Sequence, residues 1–360
     1  MPLVAHSSLP SFERLREDGE EILELERAHD QDIRELHIGL CNIMPDAALE
    51  ATERQFMRLI GSSNRIAQFY IHPFTLKGIE RGAEAQKYID THYTDFETLR
   101  AQGVDALIVT GANVQGTKFE DQPFWNELTD VFEFAAKQVT STLCACLATH
   151  AAMKHFKGIE RVHLGDKCWG VFSHRTTQFA HPLVRNIDTR FNVPHSRFND
   201  ISKNQVEESG MCVLVTSDVA GVHLAVSEDL FRFVFFQGHP EYDRNSLFKE
   251  YKREVGRFIR KERPDYPPFP QNYLSSEGMK ILSDFQAGEL SEESLKDFPE
   301  DAALMHVDNT WGDTARSIFN NWIGMVYQLT NRDRTLPFMD GVDANDPLGL
   351  CSVFKPASGG

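Results

Sequence analysis

Apolar residues along this chain fall into short continuous runs separated by stretches of helical spacing, and that alternation predicts most of its elements. LHIGLCNI (36–43) is an apolar run closed by Pro45, and Asp46 is placed to cap a helix that runs through Leu59 and stops at Gly61. IAQFYI (66–71) reads as the next strand. Thr94 and Glu97 have capping-box spacing for a short helix ending at Gly103. VDALIVTG (104–111) is a buried-strand run opening into GANVQG, and helical spacing returns over 123–139. TSTLCA (140–145) and LATHAAMKHF (147–156) repeat the strand-then-helix order. The alternation predicts an α/β fold, a mostly parallel sheet flanked by helices on both faces.

The pattern changes after residue 158. MCVLVTS (211–217), GVHLAVS (221–227) and FRFVFFQG (231–238) are spaced as antiparallel neighbours, so antiparallel strands are added to the parallel core. A charged helix over 243–262 follows, with Asp243 placed as its cap. Residues 12–30 carry Phe12, Leu15, Ile22 and Leu25 among charges, so 1–35 reads as an N-terminal charged helical arm. The main domain spans 36–274 and ends in PDYPPFPQNYL, too proline-rich for a helix or inner strand. Beyond it the sequence predicts an acidic insertion (275–309), a helix within 310–329 that packs through Ile318, Trp322, Ile323 and Val326, and a loose tail (330–360).

Composition narrows the function classes. Hydrophobic residues make up 41% of 360, enough for a packed core. The net charge of -16 argues against nucleic acid as a partner, and an anionic small substrate would need a few local positive groups instead. No apolar stretch reads as a signal peptide or membrane span, so a cytoplasmic protein with no membrane partner is expected. The six cysteines (Cys41, Cys144, Cys146, Cys168, Cys212, Cys351) then read as reduced thiols.

The chemistry concentrates in two places. TSTLCACLATHAA has the form of a tight turn from a strand into a helix N-terminus, where peptide dipoles and a nearby His favour a thiolate. Cys146 has small neighbours on both sides, Cys144 two before and Ala148 two after, as a crowded nucleophile elbow requires. Cys144 lies earlier in the strand, where it reads as packing; for both cysteines core filling is the alternative role. Cys144, Cys146, His150 and His155 do not have the usual zinc spacing, so no metal is expected. Further on, FRFVFFQG ends abruptly in His239-Pro240-Glu241. Residues two apart in an extended segment point the same way, so Glu241 can orient the His239 ring while the other ring nitrogen faces the thiol. One backbone N–H of Gly111-Ala112-Asn113, taken as that of Ala112, together with that of Leu147 would form an oxyanion hole.

With those residues in view, the chain resembles the homoserine O-succinyltransferase family, whose flavodoxin-like fold is related to the class I glutamine amidotransferases. The resemblance is carried by LHIGLCNIMP (36–45), RQFMRLIG (54–61), DALIVTGANV (105–114), VTSTLCAC (139–146), DKCWGVFSH (166–174), VPHSRF (193–198), GHPEYDRNSLFKEYKRE (238–254), PQNY (270–273) and TWGDTARSIFNNWIGMVYQ (310–328). It implies that Cys146 forms an acyl-thioester, with His239 as general base and Glu241 as its partner. Lys167, Ser196 and Arg253 would bind substrate, and Gln115 would occupy the position associated with acyl choice, where Gly is linked to succinyl and Glu to acetyl. It further implies ping-pong acyl transfer to homoserine in methionine biosynthesis, acyl-CoA as co-substrate, no bound cofactor, and a homodimer.

Gln115 is neutral and does not repel a succinyl carboxylate, which favours succinyl-CoA over acetyl-CoA. Homoserine and serine differ by one methylene, so serine stays open as acceptor. The chain departs from the family pattern at Leu147-Ala148-Thr149-His150, where the family usually has a Trp and then a Gln, and in the loop after Met44-Pro45, which lacks the family's lysines. The rival functions are a glutaminase-like hydrolase on the same triad and a non-catalytic binding protein that has kept the fold.

Overall fold

The computed structural model describes residues 3–63, 67–112 and 118–354. Its apolar runs become one eleven-stranded sheet. The strands are β1 (Leu3–Ala5), β2 (Ile22–Glu24), β3 (Glu35–Cys41), β4 (Gln68–Phe74), β5 (Ala106–Val109), β6 (Ser141–Ala145), β7 (Val162–Thr176), β8 (Arg190–Asp200), β9 (Cys212–Ser217), β10 (Gly221–Val226) and β11 (Phe233–Phe236). Their order is β2-β1-β4-β3-β5-β6-β11-β10-β9-β7-β8. Pairing is parallel from β2 to β11 and antiparallel from there to β8. Within the parallel part, β4-β3-β5-β6-β11 has the flavodoxin-like order, which places binding sites at the carboxyl ends of the strands.

Strands β5, β6 and β11 are buried throughout because helices cover both sheet faces. The two-residue alternation sends Ala106 and Ile108 to one layer and Leu107 and Val109 to the other. The first layer contains Phe56 and Ile60 of the helix Asp46–Ser63 with Phe319, Trp322 and Ile323 of the helix Gly312–Leu329. The second contains Leu128 and Phe132 of the helix Trp125–Gln138 with Ala148, Ala151 and Ala152 of the helix Leu147–Lys157. The Trp322 indole N–H donates to Ser141 Oγ at 2.8 Å, tying the late helix to the start of β6. That helix therefore buries most of its apolar face inside the chain.

Several expectations are corrected. Residues 1–35 are no helical arm: Pro10–Glu17 and Leu25–His29 are short helices, and β1 and β2 extend the sheet. Gly19, at φ +87°, breaks the expected single helix. Asp46 starts its helix but accepts from Gly82 N–H (2.8 Å) and Arg81 (3.1 Å). Asp95, not Thr94, caps Phe96–Gln102, accepting from Thr98 N–H at 2.9 Å. Asn245, not Asp243, precedes the helix Ser246–Ile259. A helix at Ala83–His92 was not foreseen.

The acidic segment is folded as well. Ser276–Ala287 is a helix capped by the Ser275 hydroxyl, and Leu282, Phe298, Ala303 and Trp311 pack on Phe248 and Tyr251 in a third apolar cluster. The proline-rich crossing is pinned to β7: Gln271 N–H donates to Trp169 O (2.9 Å), and Val171 N–H donates to Gln271 O (2.8 Å). Gly170 permits this, since a Cβ there would lie 2.2 Å from Gln271 O. In the tail, Phe338 is buried and Cys351–Phe354 forms a helical turn.

Trp322→Ala should cost about 3–5 kcal/mol by deleting the largest fully buried side chain of the first layer. Urea unfolding at neutral pH and fixed protein concentration measures it.

Candidate active site

Cys146 sits between the last residue of β6 and the first residue of the helix Leu147–Lys157. Its backbone lies at φ 50°, ψ −109°, a region an L-residue occupies at a cost of about 1–3 kcal/mol. The surroundings hold it there. Cys146 N–H donates to Phe236 O at 2.7 Å, and the Thr149 hydroxyl lies 2.8 Å from Cys144 O and 2.9 Å from Phe236 O. The loop leaving β5 closes from the other side: a Cβ on Gly111 would be 3.4 Å from Cys146 Cβ. Leu147 is the first helical residue, so its N–H has no partner in the helical ladder and is free to meet an anion. Cys144 is fully buried in the second apolar layer, where burial raises its thiol pKa and keeps it inert.

The base arrives from the neighbouring strand. After β11 the chain passes through Gly238, where a Cβ would lie 2.6 Å from Val193 and 2.8 Å from His195 Nε2, so only glycine fits against β8. His239 N–H then donates to Pro194 O at 2.8 Å. The ring's Nδ1–H donates to Glu241 Oε1 at 2.8 Å, with both side chains buried. Nε2 has no other bond of ordinary geometry among the described residues and interacts with the Cys146 thiol. Burial opposes charge on this ring, but the Glu241 carboxylate and then the Cys146 thiolate outweigh it and raise the His239 pKa well above its ordinary value. Tyr242 stacks on the imidazole, its ring centre 4.2 Å away and tilted by 18°.

A second cluster adjoins the first. Glu250 Oε2 accepts from Ser196 Oγ at 2.6 Å and from Lys167 Nζ at 3.0 Å, while Oε1 accepts from the Tyr242 hydroxyl at 2.8 Å. Burial would raise the Glu250 pKa, yet Lys167 and the hydroxyl donors hold it below the usual carboxylate value. The Lys167 ammonium also lies 4.4 Å from the centre of the Trp169 ring. A charged pair, a hydroxyl and an aromatic wall thus stand beside a cysteine–histidine–glutamate array.

The family model described as homoserine O-succinyltransferase matches residues 2–332. The chain belongs to that family. It is 58% identical to the homoserine O-succinyltransferase of Methylobacter tundripaludum, an alignment covering 97% of this chain and 100% of that protein. It is 54% identical to that of Methylococcus capsulatus, with the same coverage of both chains. A solved glutamine amidotransferase of Methylobacillus flagellatus aligns at 14% identity and a TM-score of 0.44, over 81% of this chain and 95% of the other.

The structure of this acyltransferase brings several of the residues singled out in the sequence close to one another. Cys146, His239 and Glu241 come together, Lys167 and Ser196 meet through Glu250, and Ala112 lies on the loop that approaches Cys146. Arg253 lies three residues after Glu250 on the helix Ser246–Ile259, with 56% of its side chain exposed and Glu254 at 3.5 Å. Gln115 and Asn113 lie outside the described residues. His150, one of the departures from the family pattern, turns inward; its Nε2–H donates to Gln237 Oε1 at 2.7 Å, and burial lowers its pKa to about 3. Sequence reasoning missed Glu250 and Tyr242, although both lie in the quoted block GHPEYDRNSLFKEYKRE.

Behind His239 lie three more buried histidines that the sequence analysis did not single out. His174 Nδ1–H donates to Phe172 O at 2.9 Å, leaving Nε2 to accept from His195 Nε2–H at 3.2 Å; His195 Nδ1 in turn accepts from Arg197 Nε at 3.2 Å. This chain of bonds requires neutral rings. Burial lowers the His174 pKa to about 4 and those of His195 and His223 well below 6.5. An unfolded chain takes up these protons as pH falls through about 6.5, whereas the folded one refuses them, so the stability they add is complete above that pH and lost towards pH 4. The urea midpoint should therefore fall steadily between pH 7 and pH 4.5; a flat profile would contradict the neutral cluster.

Proposed function

We propose that this acyltransferase moves a succinyl group from succinyl-CoA to the side-chain hydroxyl of homoserine through a thioester on Cys146. The observation that carries the reading is the His239 ring, bonded to Glu241 through one nitrogen and turned to Cys146 with the other. The Cys146 thiolate attacks the acyl-CoA carbonyl, forming the new C–S bond. The intermediate's oxyanion is met by Leu147 N–H and a backbone N–H of the loop at Ala112. The CoA sulfur leaves with the proton of the imidazolium, so His239 becomes neutral. Its Nε2 then takes the proton from the homoserine hydroxyl, which attacks the thioester and expels Cys146 as thiolate. The product is O-succinylhomoserine, and the thiolate–imidazolium pair is restored.

Lys167, Ser196 and Arg253 bind the substrates in this reading. The relatives named above support succinyl over acetyl and homoserine over serine, because both carry the name homoserine O-succinyltransferase. The reading extends to a cytosolic enzyme of methionine biosynthesis that binds no further cofactor. None of the six cysteines is in a disulfide, and no helix among the described residues is long and apolar enough to cross a membrane.

Protein exposed to succinyl-CoA without acceptor should gain the mass of one succinyl group at Cys146, release one thiol, and lose the adduct when homoserine is added. Cys146→Ala should show no adduct; absence of an adduct on the unaltered protein would sink the proposal. His239→Asn should lower turnover by about 10²–10⁴-fold while circular dichroism stays unchanged.

A further inference from the structure

Cys146 has a cation within electrostatic reach to which the steps above give no task. Arg161 immediately precedes β7 and is half-buried, its guanidinium 4.3 Å from the centre of the Phe119 ring. Phe119 is buried in the same apolar cluster as Leu147 and Ala148, the first residues of the helix that starts behind Cys146, and it stacks on Trp125. Burial works against charge on Arg161, while the Cys146 thiolate and Glu160 favour it. Its field also reaches His150: burial, then Arg197 and Arg161, lower the pKa of that ring. Cys146 and His150 are one helical turn apart, so the guanidinium stands by the first turn of this helix. The chain around it is pinned. Gln205 Nε2 donates to Glu160 O at 2.8 Å, Ile159 N–H donates to Met153 O at 3.4 Å, and Lys154 bonds to both Glu160 and Glu120. Lys167 stands apart from this group, against Trp169 in the third apolar cluster.

Acylation removes the thiolate's charge, and the acyl group decides what Arg161 meets next. An acetyl group brings no charge back. A succinyl group ends in a carboxylate two methylenes beyond the thioester carbonyl, and on a chain of net charge -16 such an anion needs a local cation. Resting on the acyl-transfer reading, we propose that Arg161 is a specificity-determining residue that binds the free carboxylate of the succinyl group while it is carried on Cys146. The guanidinium offers a forked pair of N–H donors to the two carboxylate oxygens, and the Phe119 ring against its face steadies the fork. As the thiolate becomes a thioester, one anion replaces another, so the half-buried cation keeps a negative charge beside it throughout transfer. A donor without the free carboxylate lacks this contact.

The test compares succinyl-CoA with butyryl-CoA, which has a methyl group in place of the free carboxylate, by the rate at which full-length protein gains each acyl mass on Cys146. Unaltered protein should acylate at least about 10-fold faster from succinyl-CoA, as expected of one charge-assisted contact. Arg161→Gln should lose most of that ratio, chiefly through slower succinylation. Arg161→Lys, which keeps the charge but not the fork, should fall between, and it decides the assignment if the Gln variant does not fold. If Arg161 serves only the thiolate, both donors slow alike and the ratio stays. That result, or equal or slower use of succinyl-CoA by unaltered protein, would overturn the proposal. Failure of unaltered protein to form an adduct with either donor would instead overturn the acyl-transfer reading.

Discussion

The hydrogen bond from Cys146 N–H to Phe236 O, 2.7 Å long, ties the nucleophile's turn to the strand that delivers the base. It continues the parallel register of β6 and β11, in which Cys144 pairs with Phe235 and Ala145 with Phe236, so both strands end level. Everything chemical follows from that level ending. One strand turns into a helix at Cys146 and the other into the His239–Glu241 segment, and the two side chains meet above the carboxyl edge of the sheet. The strained dihedrals of Cys146 persist because Phe236, Thr149 and the close Gly111 loop leave the chain no easier path.

The support for the base is equally specific. Gly238 lets the chain press against Val193 and His195, and Pro194 O takes the His239 N–H, so β8 sets where the ring stands. Trp311 fixes the same segment from the far side by donating its indole N–H to Tyr242 O at 2.7 Å. The site thus depends on a residue just beyond the acidic segment. Two sets of buried histidines respond to pH in opposite senses. His174, His195 and His223 stabilise the fold only while neutral, whereas the raised pKa of His239 adds stability that is complete below about pH 6.5 and lost as pH rises through its folded value.

The parts legible in the sequence are those with a local signature. The parallel core could be read from runs such as ALIV and STLCA because strands buried on both faces are continuously apolar. Cys146, His239 and Glu241 could be read because each follows such a run directly. Glu250 could not, since a charged helix does not reveal which of its carboxylates is turned inward; only the fold brings Lys167 and Ser196 to it. The N-terminal strands escaped because three residues such as Leu3–Ala5 carry no periodicity and gain stability only by pairing with the sheet edge. The packing of the segment after 275, read only as an acidic insertion, escaped for a related reason. Its anchors Leu282, Phe298, Ala303 and Trp311 are far apart in sequence and form a cluster only when packed on Phe248 and Tyr251.

The central claim is that His239 is held in its charged form by Glu241 on one side and Cys146 on the other. The most direct measurement is the titration of the His239 ring by NMR in the unaltered protein and in Cys146→Ala. The account predicts a pKa well above 6.5 in the unaltered protein and a lower one once the thiolate is removed. A ring that titrates at or below 6.5 in the unaltered protein, or that is indifferent to the loss of Cys146, would contradict it.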